Sequence, residues 1–187
     1  MIGIDEVGRG CLAGPMLVVA ARQKSELPAG VKDSKKLSKV QRQKLLNLLC
    51  ICCNFGEGWV SAQEIDRLGL TKATRLGVNR ALKTLGAEVD EQILMDGHIN
   101  YCPRKFINVQ TIIGGDDLVS IISAASIYAK VNRDKYMEKI SQKYSDYGFE
   151  RHVGYGTKAH LAALDSFGPI EGFHRMNYAP LKDRLTA

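Results

Sequence analysis

Short apolar runs of strand length alternate along this chain with longer segments that have helical periodicity. This alternation is typical of folds in which helices pack on a β-sheet. The runs 2–7 and 16–21 are separated by a turn rich in glycine and proline, which predicts an antiparallel pair of strands. Further strands are predicted at 55–61, 92–95 and 105–113. The length of 187 residues is that of one ordinary domain, 1–187. We therefore expect an α/β fold with a mixed central sheet flanked by helices.

Local signals place the helices. Ser38 has the residue type of an N-cap, for a helix that runs to about Cys53. The segment 62–85 has apolar residues at helical spacing, with a break at Gly69 and an end at Gly86. The remaining expectations are a long helix from the 114–117 stretch to about Tyr144, a loop at 148–156, a short helix at 160–167 and an irregular basic tail from Pro169. Residues from about 157 to 187 are expected to form a small C-terminal helical segment with this tail.

Charge and cysteine content indicate the environment. The net charge of +6 favours an anionic partner, nucleic acid first. No window holds the roughly 18 consecutive apolar residues of a membrane span, and no signal peptide precedes the first strand. We therefore expect a cytoplasmic protein with no membrane association. The five cysteines are odd in number and three crowd 50–53, which favours reduced thiols over disulfides or a zinc site.

Four acidic residues lie where strands are predicted to end. Asp5 and Glu6 close the first strand, Asp96 follows the strand at 92–95, and Asp116 lies at a strand-to-helix junction. Taken singly, each of these acids is commonly an N-cap or a solvated turn residue. Together they would repel one another unless two Mg²⁺ or Mn²⁺ ions, about 3.5 to 4 Å apart, neutralised them. Oxygen ligands without a His or Cys cluster favour these ions over Zn²⁺.

Six blocks of sequence follow one another along the chain. They are Asp5-Glu6-Val7-Gly8-Arg9-Gly10 with Leu12-Ala13-Gly14-Pro15; Asp33-Ser34-Lys35-Lys36-Leu37-Ser38; Asp96-Gly97; Ser123-Ala124-Ala125-Ser126-Ile127 with Ala129-Lys130-Val131 and Arg133-Asp134; Gly154-Tyr155-Gly156-Thr157 with His160; and His174-Arg175. Their residues, order and spacing resemble bacterial ribonuclease HII over nearly the whole chain.

The resemblance implies a ribonuclease H-like fold and a metal-dependent endonuclease. Such an enzyme cuts the RNA strand of RNA/DNA hybrids, and cuts 5′ of single ribonucleotides embedded in duplex DNA during ribonucleotide excision repair. The products carry 3′-hydroxyl and 5′-phosphate ends. The catalytic, metal-binding residues implied are Asp5, Glu6, Asp96 and Asp116. Asp116 is preferred to Asp117 because it follows Gly115 and stands seven residues before Ser123, and Asp134 is interpreted as structural.

The same resemblance implies the substrate contacts. The backbone of Gly8, Arg9 and Gly10 would meet the ribose 2′-hydroxyl, Lys35 and Lys36 would meet phosphates, and Tyr155 would stack on the sugar of the adjacent deoxynucleotide. Simpler interpretations remain: Arg9 as a surface cation that balances the acids, the lysines as solvated surface, and Tyr155 as a half-buried loop anchor.

Several neighbouring residues carry further expectations. His160 is expected to brace the loop of Tyr155. His174-Arg175 is expected either to contact the duplex backbone or to pack and hydrogen-bond within the protein.

Cys11 stands where the family commonly has proline. We expect this difference to loosen the turn and to expose a thiol near the metals. No sliding-clamp peptide of the glutamine-plus-aromatic kind is visible, and we expect a monomer.

Two other classes of protein fit parts of the pattern. A non-catalytic nucleic-acid-binding module would explain the basic charge, but four acids would oppose an anionic backbone. A dinucleotide-binding oxidoreductase would explain the glycines, yet Gly8-x-Gly10-x-x-x-Gly14 has the wrong spacing and Asp5-Glu6 would repel a pyrophosphate.

Overall fold

The computed structural model describes residues 1–31 and 37–185. Lys35 and Lys36 lie outside these residues. The strands are β1 (Ile2–Val7), β2 (Met16–Gln23), β3 (Cys53–Val60), β4 (Ile93–Asp96) and β5 (Val109–Ile112). The α-helices are α1 (Lys39–Cys52), α2 (Ala62–Leu68), α3 (Leu70–Leu85), α4 (Gly115–Leu118), α5 (Ser120–Ser141), α6 (Phe149–His152), α7 (Lys158–Phe167) and α8 (Ala179–Leu185), with a 3₁₀ turn at Ser145–Tyr147.

The strands form one mixed sheet in the order β3-β2-β1-β4-β5. β1 pairs antiparallel with β2, as the turn between them predicted, and parallel with β4. In the β1–β4 register, Ile4 is opposite Met95. Asp5 and Asp96 each follow by one residue, so both acids lie at the same edge of the sheet. The expected mixed α/β fold is confirmed.

Helices cover both faces of the sheet. Side chains of β1, β2 and β3 pack against α2 and α3 on one face, and α1 and α5 cover the other. α3 approaches β3 very closely: a Cβ atom on Gly58 would lie 1.9 Å from the Gly77 carbonyl oxygen. On the opposite face, a Cβ atom on Gly3 would lie 2.5 Å from the Ile121 carbonyl oxygen of α5. No helix within the described residues is long and apolar enough to cross a membrane.

The predicted helix ends are present. The Ser38 side chain accepts a hydrogen bond from the Gln41 backbone N–H, and the Gln41 side chain accepts one from the Ser38 N–H, which completes a capping box. Gly69 separates α2 from α3, and Gly86 ends α3 in the left-handed conformation at φ 65°. These ends were predictable because each depends on a single residue type.

Three predicted elements differ from the structure. The strand expected at 105–113 is only Val109–Ile112, because its partner β4 has four residues and 103–106 forms a turn. The long helix expected to reach Tyr144 is divided at Val119, whose backbone is extended at φ −126° and ψ 109°. The expected loop at 148–156 contains α6, and the expected irregular tail contains α8.

These C-terminal helices belong to a separate apolar cluster. It joins Met137 of α5, Phe149 of α6, Leu164 of α7 and Leu181 of α8 to Leu12 in the turn after β1. Packing therefore attaches the C-terminal segment to the turn that carries the Gly-Arg-Gly sequence.

We predict that Gly58→Ala lowers the free energy of unfolding by about 3 kcal/mol, because α3 must move away from β3. Gly10→Ala is the matched control for stability, since a Cβ atom there would meet no atom within 4 Å. Urea denaturation of both variants checks this. Equal stability of the two variants would contradict the close packing.

Candidate active site

One cleft of about 460 Å³ opens at the edge of the sheet where β1 and β4 end. It brings together Asp5, Glu6, Gly8, Arg9, Gly10, Asp96 and Tyr155, which are all predicted site residues. Val7, Ser126 and Lys130 complete its lining. The edge of a sheet at which parallel strands end is a common position for a ligand site.

Asp5 is the most deeply buried acid of the cleft. It is only 7% exposed, and its Oδ1 accepts a hydrogen bond from the Glu6 backbone N–H at 2.7 Å. Burial, with the negative charges of Glu6 and Asp96, raises the pKa of Asp5 to about 8, although the Ser126 hydroxyl and the Glu6 N–H partly oppose this. A bound cation would relieve the repulsion.

Asp116 lies beside Asp96. Its backbone N–H donates a hydrogen bond to Asp96 Oδ1 at 3.4 Å, and its carbonyl accepts one from the Ser123 hydroxyl at 2.8 Å. Asp116 is buried whereas Asp117 is exposed, and the choice of Asp116 as the fourth acid stays a prediction. The Asp116 side chain is not part of the cleft lining described above.

Arg9 is held by two side chains. Its guanidinium donates to Glu6 Oε1 at 3.1 Å and to the Tyr101 hydroxyl at 3.0 Å. Arg9 therefore balances the charge of Glu6. This pairing fits the simpler interpretation of Arg9, as a cation that offsets the neighbouring acids.

The two glycines of the Gly-Arg-Gly turn have different roles. Gly8 has φ 82°, and a Cβ atom there would lie 2.1 Å from Arg133 Nε, so packing requires a glycine. Gly10 is exposed, with open space around it, so it leaves room for a ligand in the cleft. The Arg9 carbonyl accepts hydrogen bonds from Arg175 and from the Tyr178 hydroxyl, so it faces the protein.

Two fully buried arginines hold this turn. Arg133 donates to the carbonyl oxygens of Pro15, Val153 and Ala13, at 2.8, 2.9 and 3.3 Å. Arg175 donates to the carbonyl oxygens of Gly14 and Arg9 and to the Tyr178 hydroxyl. Burial lowers the pKa of Arg175. His174 and Arg175 were expected either to contact the duplex or to pack within the protein. Both side chains are buried, so they pack within the protein.

Tyr155 is 40% exposed at the cleft, and it lies beside the Cys11 thiol.

The expectation that Cys11 exposes a reactive thiol is wrong. Cys11 is fully buried, its Sγ donates to the Val153 carbonyl at 3.7 Å, and burial raises its pKa. The expected brace by His160 is present, because its Nδ1 lies 2.9 Å from the Tyr155 carbonyl oxygen.

The cleft fits a divalent cation by its donor chemistry. Its acids supply carboxylate oxygens, and no Cys or His belongs to the lining that the described residues form. The pKa of Asp5 is raised by burial and, to a smaller extent, by the negative charges of Glu6 and Asp96, which a bound cation would offset. Within residues 1–31 and 37–185, however, no three His, Cys, Asp or Glu side chains come together as a complete metal site.

Sequence reasoning missed three contacts of the site. Tyr101 lies 92 residues from Arg9, and nothing in the sequence links them. Ser126 belonged to a small-residue helix face, with no sign of its bond to Asp5. Lys130 lines the cleft, and its Nζ lies 2.9 Å from Asp134 Oδ1, one helical turn away. The i, i+4 spacing of these two residues in the sequence could have predicted this ion pair.

The chain matches known proteins over nearly its whole length. The family described as ribonuclease HII matches residues 2–180. A ribonuclease HII of Coxiella burnetii is 44% identical over 182 residues, covering 96% of this chain and 88% of that relative. The crystal structure of the ribonuclease H2 from Pyrococcus horikoshii OT3 is 25% identical, with a TM-score of 0.76 and coverage of 97% of this chain and 95% of that chain. The ribonuclease HII of Archaeoglobus fulgidus, solved in a complex with PCNA, has the same identity and TM-score and covers 94% of this chain and 92% of that chain.

The mixed sheet, with acids at the ends of two adjacent parallel strands, defines a nuclease of the ribonuclease H-like class. The chain belongs to the ribonuclease HII family. It is a hydrolase that acts on RNA in RNA/DNA hybrids.

We predict that Asp5→Asn stabilises the metal-free protein, increasingly so as the pH rises. The folded protein holds the Asp5 proton up to about pH 8, whereas an unfolded carboxyl releases it near 3.8. The folded state binds more protons between these values, so the wild type loses stability as the pH rises through this range. Each pH unit between the two pKa values contributes about 1.4 kcal/mol, so the gain from Asp5→Asn should be under about 1 kcal/mol at about pH 4 and about 5 kcal/mol at about pH 7.5.

Urea denaturation with a chelator present measures this gain. Asp117→Asn, at an exposed position, is measured in parallel at both pH values as the comparison variant. A gain from Asp5→Asn that is the same at both pH values would contradict the raised pKa.

Proposed function

We propose that this enzyme also cuts duplex DNA on the 5′ side of a single embedded ribonucleotide, leaving 3′-hydroxyl and 5′-phosphate ends. The observation that carries the proposal is that one cleft contains three of the four acids, the open Gly10 position and the exposed ring of Tyr155. Cutting one ribonucleotide in DNA requires recognition of a single 2′-hydroxyl and of its deoxynucleotide neighbour. This cleft has a group suited to each task.

The proposed cofactors are two Mg²⁺ or Mn²⁺ ions. Asp5, Glu6, Asp96 and Asp116 would hold them, and their oxygen donors suit these ions. When bound, such ions supply an activated water and stabilise the departing 3′ oxygen. The donor chemistry of the cleft and the raised pKa of Asp5 support this assignment.

The remaining side chains have proposed roles in binding. Gly10 would let the ribose approach the turn, because a side chain there would project into the cleft. Tyr155 would stack its exposed face on the sugar of the neighbouring deoxynucleotide. Lys130, oriented by Asp134, would attract a phosphate near the acids. Arg9 would contribute a positive charge beside Glu6.

The wider binding surface is proposed from charge. The net charge of +6 suits the phosphate backbones of a hybrid or of ribonucleotide-containing DNA. Lys35 and Lys36 are proposed to meet phosphates, on the family resemblance alone. Ribonucleotide excision repair in the cytoplasm, by a monomer of one catalytic domain, is the proposed setting.

The test is cleavage of a labelled DNA duplex that carries one ribonucleotide, with Mg²⁺, with Mn²⁺ and with a chelator. An all-DNA duplex is the substrate control. We predict a cut 5′ of the ribonucleotide that requires the metal and that Asp116→Asn slows by about a thousandfold or more, since its carboxylate would hold a cation. Asp117→Asn, the adjacent control, should stay within about twofold of wild type.

Each departure from this result has a separate meaning. An inactive Asp117→Asn with an active Asp116→Asn would show that the fourth acid is Asp117. Absence of cleavage at the single ribonucleotide, with cleavage of a long hybrid retained, would contradict the proposed substrate. Binding without cleavage of either duplex would indicate a non-catalytic binding protein.

A further inference from the structure

Three histidines form a buried cluster behind the loop that carries Tyr155. His152 belongs to α6, His160 to α7, and His174 to the segment between α7 and α8. The rings of His152 and His160 are stacked, with centroids 4.5 Å apart and an interplanar angle of 14°. All three are at least nine-tenths buried, and catalysis as described above uses none of them.

The hydrogen bonds fix where each proton lies on two of these rings. The Ile170 backbone N–H donates to His174 Nδ1 at 2.8 Å, so a neutral His174 carries its proton on Nε2. That Nε2 lies 3.1 Å from His160 Nε2, which must therefore accept. His160 then carries its proton on Nδ1 and donates it to the Tyr155 carbonyl at 2.9 Å. The result is a directed chain of hydrogen bonds from Ile170 to Tyr155.

This chain requires both imidazoles to be neutral. An additional proton on His160 would place two N–H groups against each other across the 3.1 Å contact. An additional proton on His174 would oppose the Ile170 N–H. Either change removes a hydrogen bond, because each ring nitrogen in the chain is already committed as a donor or an acceptor.

The surroundings favour the neutral rings. Burial, together with the neighbouring imidazoles, lowers the pKa of both His160 and His174 to about 4, although a backbone hydrogen bond to each ring partly opposes this. The titratable groups that face the pair are His152 from α6 and Tyr147 from the 3₁₀ turn, whose ring centroid is 5.4 Å from that of His174. Arg175 follows His174 in the chain, but its guanidinium donates to the Gly14 and Arg9 carbonyls. No carboxylate in the described part of the chain forms an ion pair with either ring.

The chain ends on the loop that presents Tyr155. Three successive carbonyls of this loop accept hydrogen bonds from different parts of the protein. Val153 accepts from Arg133, Gly154 from the backbone N–H groups of Leu12 and Ala13, and Tyr155 from His160. The first two contacts join the loop to the Gly-Arg-Gly turn. The Tyr155 carbonyl also accepts from the Thr157 N–H at 2.8 Å, and the Tyr155 N–H donates to the His152 carbonyl at 2.9 Å. Of the hydrogen bonds of the Tyr155 backbone, the one from His160 is the one that depends on the proton arrangement of the two imidazoles.

We infer that the His174–His160 pair is a positioning relay, which sets the Tyr155 ring at the cleft and thereby the preference for an RNA-to-DNA junction. This inference rests on the role given to Tyr155 in the proposed function. His160 and His174 are positioning residues, since they act through Tyr155 and touch neither substrate nor reacting atoms.

The kinetic test compares kcat/KM for a duplex with one ribonucleotide against that for a long RNA/DNA hybrid. His160→Ala should lower this ratio by about tenfold, mainly through KM for the single-ribonucleotide duplex, as expected for the loss of one ring contact. His160→Asn should recover most of the ratio, because its amide N–H can take the place of Nδ1–H at the Tyr155 carbonyl. Tyr155→Ala should reproduce the loss. A His160→Ala ratio equal to wild type, with the ratio lost in Tyr155→Ala, would overturn the relay.

A spectroscopic measurement on the unaltered protein tests the proton arrangement without any activity assay. Nitrogen-15 NMR of the imidazoles at about pH 5.5 should show the proton of His160 on Nδ1 and that of His174 on Nε2, both neutral. His98, an exposed histidine outside the cluster, provides the comparison signal. The opposite tautomers, or a charged ring at either position, would overturn the inference even if cleavage agrees with the proposed function. If Tyr155→Ala leaves the ratio unchanged, the role of Tyr155 fails and the relay has nothing to position.

Discussion

The active-site geometry depends on two buried guanidinium groups that bind backbone carbonyls. Burying a charge without partners costs several kcal/mol, so Arg133 and Arg175 are tolerated only because their N–H groups are hydrogen-bonded. Within the described residues, both bind uncharged oxygen atoms, mostly of the turn between β1 and β2. Arg133 reaches this turn from α5 and Arg175 from the C-terminal segment. The two arginines therefore connect the catalytic sheet, its longest helix and the C-terminal helices at one place.

This arrangement gives a turn stiff enough to hold groups that repel each other. Asp5 is buried beside Glu6 and near Asp96, and its pKa is raised by burial first and by these two negative charges second, so ionising it costs free energy. Such a cost is typical of sites built to bind a cation, where function is retained at the expense of stability. Arg9 reduces the cost by pairing with Glu6, while its carbonyl is held by Arg175. The residues that repel each other, Asp5 and Glu6, are therefore close in sequence to Arg9, whose carbonyl Arg175 binds.

Local signals made much of the fold predictable, and tertiary packing decided the rest. Ser38, Gly69 and Gly86 mark helix ends through their own chemistry, and Asp5 and Asp96 share an edge because parallel strands end together. The extent of β5 and the presence of α8 depend on partners distant in sequence, which periodicity does not show. Burial of Arg133 and Arg175 was unpredictable because arginine is almost never fully buried. The contact between Tyr101 and Arg9 was not predicted, because the two residues are 92 positions apart in the sequence.

The most direct test of the central claim is amide hydrogen exchange in the turn between β1 and β2. The Leu12 N–H donates to the Gly154 carbonyl at 2.8 Å and the Gly14 N–H to the Phe173 carbonyl at 2.9 Å. If Arg175 holds this turn, both amides should be protected in the wild type and should exchange at least about a hundredfold faster in Arg175→Met, while the amide of Val18 in β2 stays protected. Exposed Arg151→Met is the control and should leave all three unchanged. Continued protection of Leu12 and Gly14 in Arg175→Met would contradict the account.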